Sequence, residues 1–182
     1  PISTYFDFPD YITADMLKIV SDHGHEIGNH TRTHADLTQV SDQLMHEEIN
    51  GARQELETLG YPTHSFAYPY GASNANVQGA VQEASYVTGR GTDDGYIDHL
   101  TNPMNLPSWD IGGMSFEQVK AIIDGAVEQK KWVILIVHKV DVEGDPESVT
   151  SELLQEAIDY AQEKQMSFVT NAEGLAQLDT IE

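Results

Sequence analysis

The stretch that decides the fold reads His25-Glu26-Ile27-Gly28-Asn29-His30-Thr31-Arg32-Thr33-His34. Residues 25–28 have the character of a short β-strand, and a polar loop follows that strand directly. His30 and His34 are four residues apart, so on a helical turn both imidazoles would project to one side and could share a metal ion. Because α/β barrels carry their sites at the carboxyl ends of strands, the pair is a candidate metal site. The alternative is two exposed histidines with no shared ligand.

Outward from this stretch, short β-branched or aromatic segments alternate with longer segments of helical spacing. Strands are predicted over residues 2–6, 25–28, 65–67, 86–88, 132–137 and 167–170. Helices are predicted over residues 13–22, 41–59, 72–84, 115–126 and 151–164. This alternation is typical of a parallel sheet with helices outside it, in a barrel or a doubly wound sheet. No glycine-rich phosphate-binding motif is present, so the pattern favours an α/β barrel-like fold.

Composition narrows the possible partners and ligands. The 182 residues suit one domain, and 9 Lys+Arg against 30 Asp+Glu give a net charge of −21, which argues against nucleic acid as a partner. No apolar run approaches the roughly 20 residues of a membrane span. Since there is no cysteine, a metal must be held by His, Asp or Glu.

A second motif, Phe66-Ala67-Tyr68-Pro69-Tyr70-Gly71, also follows a predicted strand. Pro69 fixes its own φ and Gly71 permits unusual dihedral angles, so this turn can aim a backbone N–H outward. Tyr68 and Tyr70 would then offer flat apolar walls that suit a sugar ring. An ordinary Pro-Gly turn is the alternative.

A third candidate is His138, the first polar residue after the apolar run of residues 132–137. A histidine at the end of a barrel strand can donate a proton to a leaving group. Taken alone, His138 could equally be a catalytic residue or a residue that bonds to groups in the core.

Together these three motifs resemble those of the NodB-homology polysaccharide deacetylases, carbohydrate esterase family 4. The resemblance extends over nearly the whole chain, to Phe168-Val169-Thr170-Asn171-Ala172-Glu173. It implies a distorted (β/α) barrel, formed by residues 1–182 as a single domain. It also implies a hydrolase that removes N- or O-acetyl groups from a polysaccharide with one divalent metal, usually zinc.

The resemblance assigns roles to individual residues. His30 and His34 would be metal ligands, and the backbone N–H of Tyr70 would help to hold the oxyanion after metal-bound water attacks the acetyl carbonyl. His138 would be the general acid, steadied by Asp110.

Three further residues would contact substrate. Tyr68, Pro69 and Trp109 are assigned to substrate binding, with Trp109 lining the acetyl pocket. A loop tryptophan that covers the barrel is the alternative for Trp109.

The chain departs from the family pattern at one essential place. The family's opening Asp-Asp motif, which supplies the third metal ligand and the base, is expected before the strand at residues 2–6 and is not found. The segments Thr4-Tyr5-Phe6-Asp7 and Thr92-Asp93-Asp94-Gly95 only imitate it, and Ala67 stands where most members have Arg. We therefore expect a barrel that is incomplete at its N-terminus.

Three functions follow as hypotheses. The first is a metal-dependent deacetylase of an acetylated polysaccharide or oligosaccharide, with an extracellular or cell-envelope location and no nucleic-acid partner or membrane span. The second is a catalytically impaired homologue that binds carbohydrate without a base aspartate. The third is a metallo-hydrolase that acts on amides other than those of sugars. The net charge of −21 favours neutral or basic glycans over strongly anionic ones.

Overall fold

The structure is a computed structural model that describes residues 11–178, so the predicted strand at residues 2–6 lies outside the described part. The described residues form two compact units. Unit 1 holds residues 11–91, 102–106 and 170–178, and unit 2 holds Thr92–Thr101 and Pro107–Val169. The prediction of one domain over residues 1–182 stays a prediction.

Helices and strands are interspersed along the described part of the chain. The helices are α1 (Ala14–Asp22), α2 (Asp42–Thr58), α3 (Ala75–Glu83), α4 (Phe116–Gln129), α5 (Ser151–Glu163) and α6 (Asn171–Leu178). The strands are β1 (Ser65–Ala67), β2 (Thr88–Arg90), β3 (Trp109–Asp110), β4 (Leu135–Ile136), β5 (Lys139–Val140) and β6 (Ser148–Val149). Two 3₁₀ turns, Pro69–Gly71 and Pro103–Asn105, lie between them.

Strand pairing within each unit is parallel, as predicted. In unit 1, β1 pairs with β2, and parallel bridges join Asn29 to Phe66 and Arg90 to Leu106. Four parallel segments therefore lie side by side in unit 1. In unit 2, β3 pairs with β4 and β5 pairs with β6.

The strands are shorter than predicted. Within the apolar run of residues 132–137 only β4 forms a strand, because Trp132 instead forms an antiparallel bridge to Ile97. Most of that run is half-buried, although an unbroken apolar strand usually indicates burial on both faces. The strand predicted over residues 86–88 lies instead at Thr88–Arg90, as β2, and residues 25–28 and 167–170 form no strand.

Local capping signals place most helices correctly. Ser115 and Gln118 form the predicted capping box at the start of α4, and the Ser41 side chain caps α2. Helix α3 starts later than predicted, with Asn74 as its cap, because the 3₁₀ turn at Pro69–Gly71 comes first. Helix α6 was not predicted, although it begins with a reciprocal Thr170 and Glu173 capping pair.

Each unit has its own apolar core. The core of unit 1 is built by α2, β1, α3 and neighbouring segments, with Met45, Ile49, Phe66, Tyr68, Val77 and Val81 among its buried members. The core of unit 2 packs α4 against α5, with Ile111, Val119, Ile123, Val149 and Ala157 among its buried members. None of the described helices combines the length and apolar character needed to cross a membrane.

Candidate active site

His30 is placed by the parallel pairing of unit 1. Asn29 pairs with Phe66, so His30 follows at the carboxyl end of the pairing, beside the end of β1. There its Nδ1 lies 2.7 Å from the carbonyl oxygen of Ala67. Because a carbonyl oxygen can only accept, Nδ1 carries the proton, and in the neutral ring Nε2 is then the atom with the lone pair. A hydrogen bond of this kind, from the other ring nitrogen to a carbonyl oxygen, commonly orients histidines that bind a metal.

The structure brings His34 next to His30. The two ring centroids are 4.7 Å apart in an edge-to-face arrangement, and both side chains are exposed. The loop does not form the helical turn that their spacing suggested, since Thr31 and His34 have φ angles of 66° and 61°. The two imidazoles are nevertheless neighbours, as a shared metal ion requires.

The donor set is suited to a divalent transition metal. Neutral imidazoles bind zinc at about 2.0–2.1 Å, and with the proton on Nδ1 the ring atom of His30 that could bind a metal is Nε2. Among residues 11–178, no group of three or more His, Asp or Glu side chains could hold a metal, so Asp93 and Asp94 do not complete such a group. The other imitation of the Asp-Asp motif, at residues 4–7, lies outside the described residues.

Sequence reasoning missed the role of Asn29 as an anchor for this loop. Its side chain is 1% exposed, and its amide nitrogen donates to the carbonyl of Ile49 and to the Tyr86 hydroxyl. Its amide oxygen accepts from the backbone N–H of Thr31 at 2.7 Å. The available signal was a polar residue directly after the predicted strand of residues 25–28, because a polar side chain that becomes buried needs hydrogen-bond partners.

The tyrosine turn corrects one part of the predicted substrate site. Tyr68 is 0% exposed, its hydroxyl donates to the carbonyl of Met104 at 2.8 Å, and Pro69 is also buried. Burial raises the pKa of the Tyr68 phenol, which keeps it protonated as a donor. Tyr68 and Pro69 are therefore core residues and cannot form walls for a sugar ring.

Tyr70 differs from its neighbours in this turn. Its side chain is 69% exposed, and its φ of 59° turns the chain away from the direction of β1. The ring lies edge-on to His34, with centroids 4.7 Å apart. Tyr70 is thus the aromatic residue of this motif that can contact a ligand beside the histidine pair, and its N–H as an oxyanion donor stays a prediction.

In unit 2 the structure brings together the predicted acid and its partner. Asp110 ends β3 and His138 follows β4, and these strands are parallel neighbours. Nε2 of His138 lies 3.2 Å from Oδ2 of Asp110, whose Oδ1 accepts from the N–H of Gly112 at 2.9 Å. The Asp110 carboxylate therefore orients the His138 imidazole and is held in turn by the Gly112 N–H. A little under half of each side chain is accessible to solvent.

Trp109 lies in β3 and is half-buried. Its indole N–H donates to the carbonyl of Gly95 at 2.9 Å, and its ring packs against Tyr96 with centroids 5.6 Å apart. These contacts hold the side chain within unit 2. Its place in an acetyl pocket stays a prediction.

Comparison with known proteins gives a consistent result. The family model for polysaccharide deacetylase matches residues 3–89. No curated protein matches the chain. Among solved structures, the Xyl-CE4 domain of a multidomain xylanase from the hindgut metagenome of Trinervitermes trinervoides is 20% identical, with a TM-score of 0.62 over 99% of this chain and 76% of that one.

Two other structures share the fold. The Streptococcus pyogenes deacetylase PplD, solved with acetate, is 22% identical with a TM-score of 0.55, over 59% of this chain and 49% of that one. BA3943 of Bacillus anthracis, described as a CE4 family pseudoenzyme, is 15% identical with a TM-score of 0.58, over 89% of this chain and 50% of that one. The chain thus spans about half the length of the PplD and BA3943 structures. Residues 3–89 therefore match the polysaccharide deacetylase family model, and the (β/α) barrel-type fold is the one that these structures share.

Proposed function

We propose that this chain is part of a metal-dependent hydrolase that removes acetyl groups from a polysaccharide or oligosaccharide. The observation that carries the proposal is the pair of adjacent imidazoles, His30 and His34, at the carboxyl end of the parallel strands of unit 1. The bond from Nδ1 of His30 to Ala67 supports it, because it directs the other ring nitrogen to serve as a ligand.

His30 and His34 would hold one divalent metal, with zinc as the first candidate because imidazole ligands suit it. When bound, such a metal supplies Lewis acidity and lowers the pKa of a ligated water. Tyr70 would cover one side of the substrate beside His34, and its backbone N–H would donate to the developing oxyanion.

His138 would donate the proton that the departing amine or alcohol needs. Its contact with Asp110 supports this assignment, because a carboxylate beside the imidazole fixes the orientation of the ring. Hydrolysis then yields acetate and the free amine or hydroxyl of the sugar.

Neutral acetylated chains are the substrate class we propose. The net charge of −21 would repel strongly anionic polymers at low salt. Likeness to a domain of a xylanase supports acetylated xylan as the first substrate to test, with acetylated chitooligosaccharides as the second. Because such polymers lie outside the cell or in its envelope, we propose that location for the protein.

The test combines zinc titration by calorimetry with measurement of acetate release. His30→Ala and His34→Ala should each abolish zinc binding and acetate release, whereas His46→Ala, an exposed histidine on α2, should change neither. Acetate release that is unaffected by the first two substitutions would contradict the proposal. So would an absence of zinc binding both by this chain and by a version extended upstream.

A carbohydrate-binding protein without catalysis is the second candidate. It is favoured by the two-ligand donor set of the described residues and by likeness to the pseudoenzyme BA3943. Binding of acetylated oligosaccharide that depends on Tyr70, without acetate release at saturating zinc from either version of the chain, would support this candidate against the first.

A further inference from the structure

The segment between the two histidines is held in an unfavourable backbone conformation. Thr31 has a φ of 66° although it is β-branched, and His34 has a φ of 61°. Left-handed angles at such residues are energetically unfavourable and persist where surrounding contacts enforce them. Contacts from outside the segment must therefore stabilise it.

Helix α2 provides those contacts through Glu48, which is 4% exposed. Oε2 of Glu48 accepts from the backbone N–H of Arg32 at 2.8 Å and of Thr33 at 2.9 Å. Oε1 accepts from the Thr33 hydroxyl at 2.8 Å. All three bonds go to the residues that lie between the two histidines.

Packing of helix α2 does not by itself explain why a carboxylate is buried at position 48. It belongs to the apolar stripe of α2, among Met45, Ile49 and Ala52, where an aliphatic side chain would pack without desolvating a charge. Within residues 11–178, Glu48 forms no ion pair, so its carboxylate is compensated by hydrogen bonds with the loop. We infer that the Glu48 carboxylate stabilises the conformation of the loop between His30 and His34.

A second contact fixes the same loop on the same helix. The Arg32 guanidinium pairs with Glu55 at 2.8 Å. A Cβ atom at Gly51 would lie 2.6 Å from Cδ of Arg32, so the glycine leaves room for the side chain to cross the helix. One face of α2, one turn after another, thus binds the residues between His30 and His34.

We propose that Glu48 is a positioning residue for the histidine pair: its carboxylate holds the backbone of Arg32 and Thr33 so that both imidazoles are presented to one metal ion. This inference rests on the proposed function insofar as it names the metal as the ligand. Glu48 itself touches neither the metal nor the substrate.

The test compares Glu48→Gln with Glu47→Gln, which removes the same charge from the exposed neighbouring position of α2. Amide replacement keeps the shape but weakens the charge-assisted bonds. We expect calorimetry with zinc alone to show about tenfold weaker binding for Glu48→Gln, since loss of an orienting contact costs on the order of 10–100-fold. Glu47→Gln should bind zinc as the unmodified chain does. Equal zinc affinity of the two folded variants would overturn the proposal.

A readout that needs no metal separates this inference from the proposed function. The amide protons of Arg32 and Thr33, bound to a carboxylate, should resonate downfield in the NMR spectrum and move upfield in Glu48→Gln but not in Glu47→Gln. If neither the unmodified chain nor a version extended upstream binds zinc, the proposed function fails, and these shifts decide the positioning role. Unchanged shifts in Glu48→Gln would overturn it.

A second variant covers the case in which Glu48→Gln does not fold. Thr33→Val keeps the side-chain shape and removes the hydroxyl that donates to Oε1 of Glu48. We expect the folded variant to bind zinc more weakly than the unmodified chain does. Unchanged zinc affinity in Thr33→Val would then overturn the proposal.

Discussion

Replacing Tyr68 with Phe should lower stability and leave ligand binding unchanged. The substitution removes the hydroxyl that donates to the carbonyl of Met104 at 2.8 Å, and both residues are buried, at 0% and 6% exposure. The ring itself, packed between Phe66 and the rest of the unit 1 core, is retained. The variant therefore isolates a single buried hydrogen bond.

The expected loss of stability depends on the Met104 carbonyl, which remains buried after the substitution. Without the Tyr68 hydroxyl, the Met104 oxygen loses this donor away from water, which costs about 1–3 kcal/mol. For a protein of this size, each kcal/mol lowers the melting temperature by about 2–4 °C, so a decrease of about 2–12 °C is expected. Differential scanning calorimetry measures it directly.

The matched variant is Tyr70→Ala in the same turn. Its exposed ring contributes little to packing, so the free energy of unfolding should change by no more than about 0.5 kcal/mol. Affinity for acetylated oligosaccharide should fall in Tyr70→Ala and stay unchanged in Tyr68→Phe. Normal stability with weakened sugar binding in Tyr68→Phe would refute the assignment of Tyr68 to the core.

Three other substitutions test separate contacts. Asp110→Asn should lower kcat with little change in KM, because His138 loses the carboxylate that orients it. The decrease should lie within the roughly 10²–10⁴-fold that a positioned acid contributes. An unchanged kcat would show that Asp110 has no part in the mechanism. A hydrogen bond from Lys131 holds the pKa of Asp98 below its ordinary value of 3.8, so this pair stabilises the fold above that pH and the contribution is lost as the pH falls further. Asp98→Asn should therefore be less stable than the unmodified chain at pH 6 and approach it below pH 3.8, and parallel curves of stability against pH would contradict this. Ser115→Ala removes the cap of α4 and should cost about 0.5–2 kcal/mol in urea unfolding, whereas a change below that range would show that the capping box adds little.

The sequence was most informative where the interaction is local. Side-chain caps at Thr13, Ser41 and Ser115 act within three residues, so the starts of α1, α2 and α4 could be predicted from the order of the residues. The apolar stripes of the helices have a fixed period and are equally visible. Strand lengths were predicted poorly, because pairing depends on which segment lies alongside, as the bridge from Trp132 to Ile97 illustrates.

By itself, the sequence determined most of the helices, the parallel α/β class and the two candidate ligands His30 and His34. These follow from the local spacing of residues and from short sequence motifs. Only the tertiary structure decided that Tyr68 is buried while Tyr70 is exposed, and that Glu48 holds the loop between the ligands. The physical reason is that burial and hydrogen-bond partners are set by segments far apart in the chain, which spacing along a single segment does not specify.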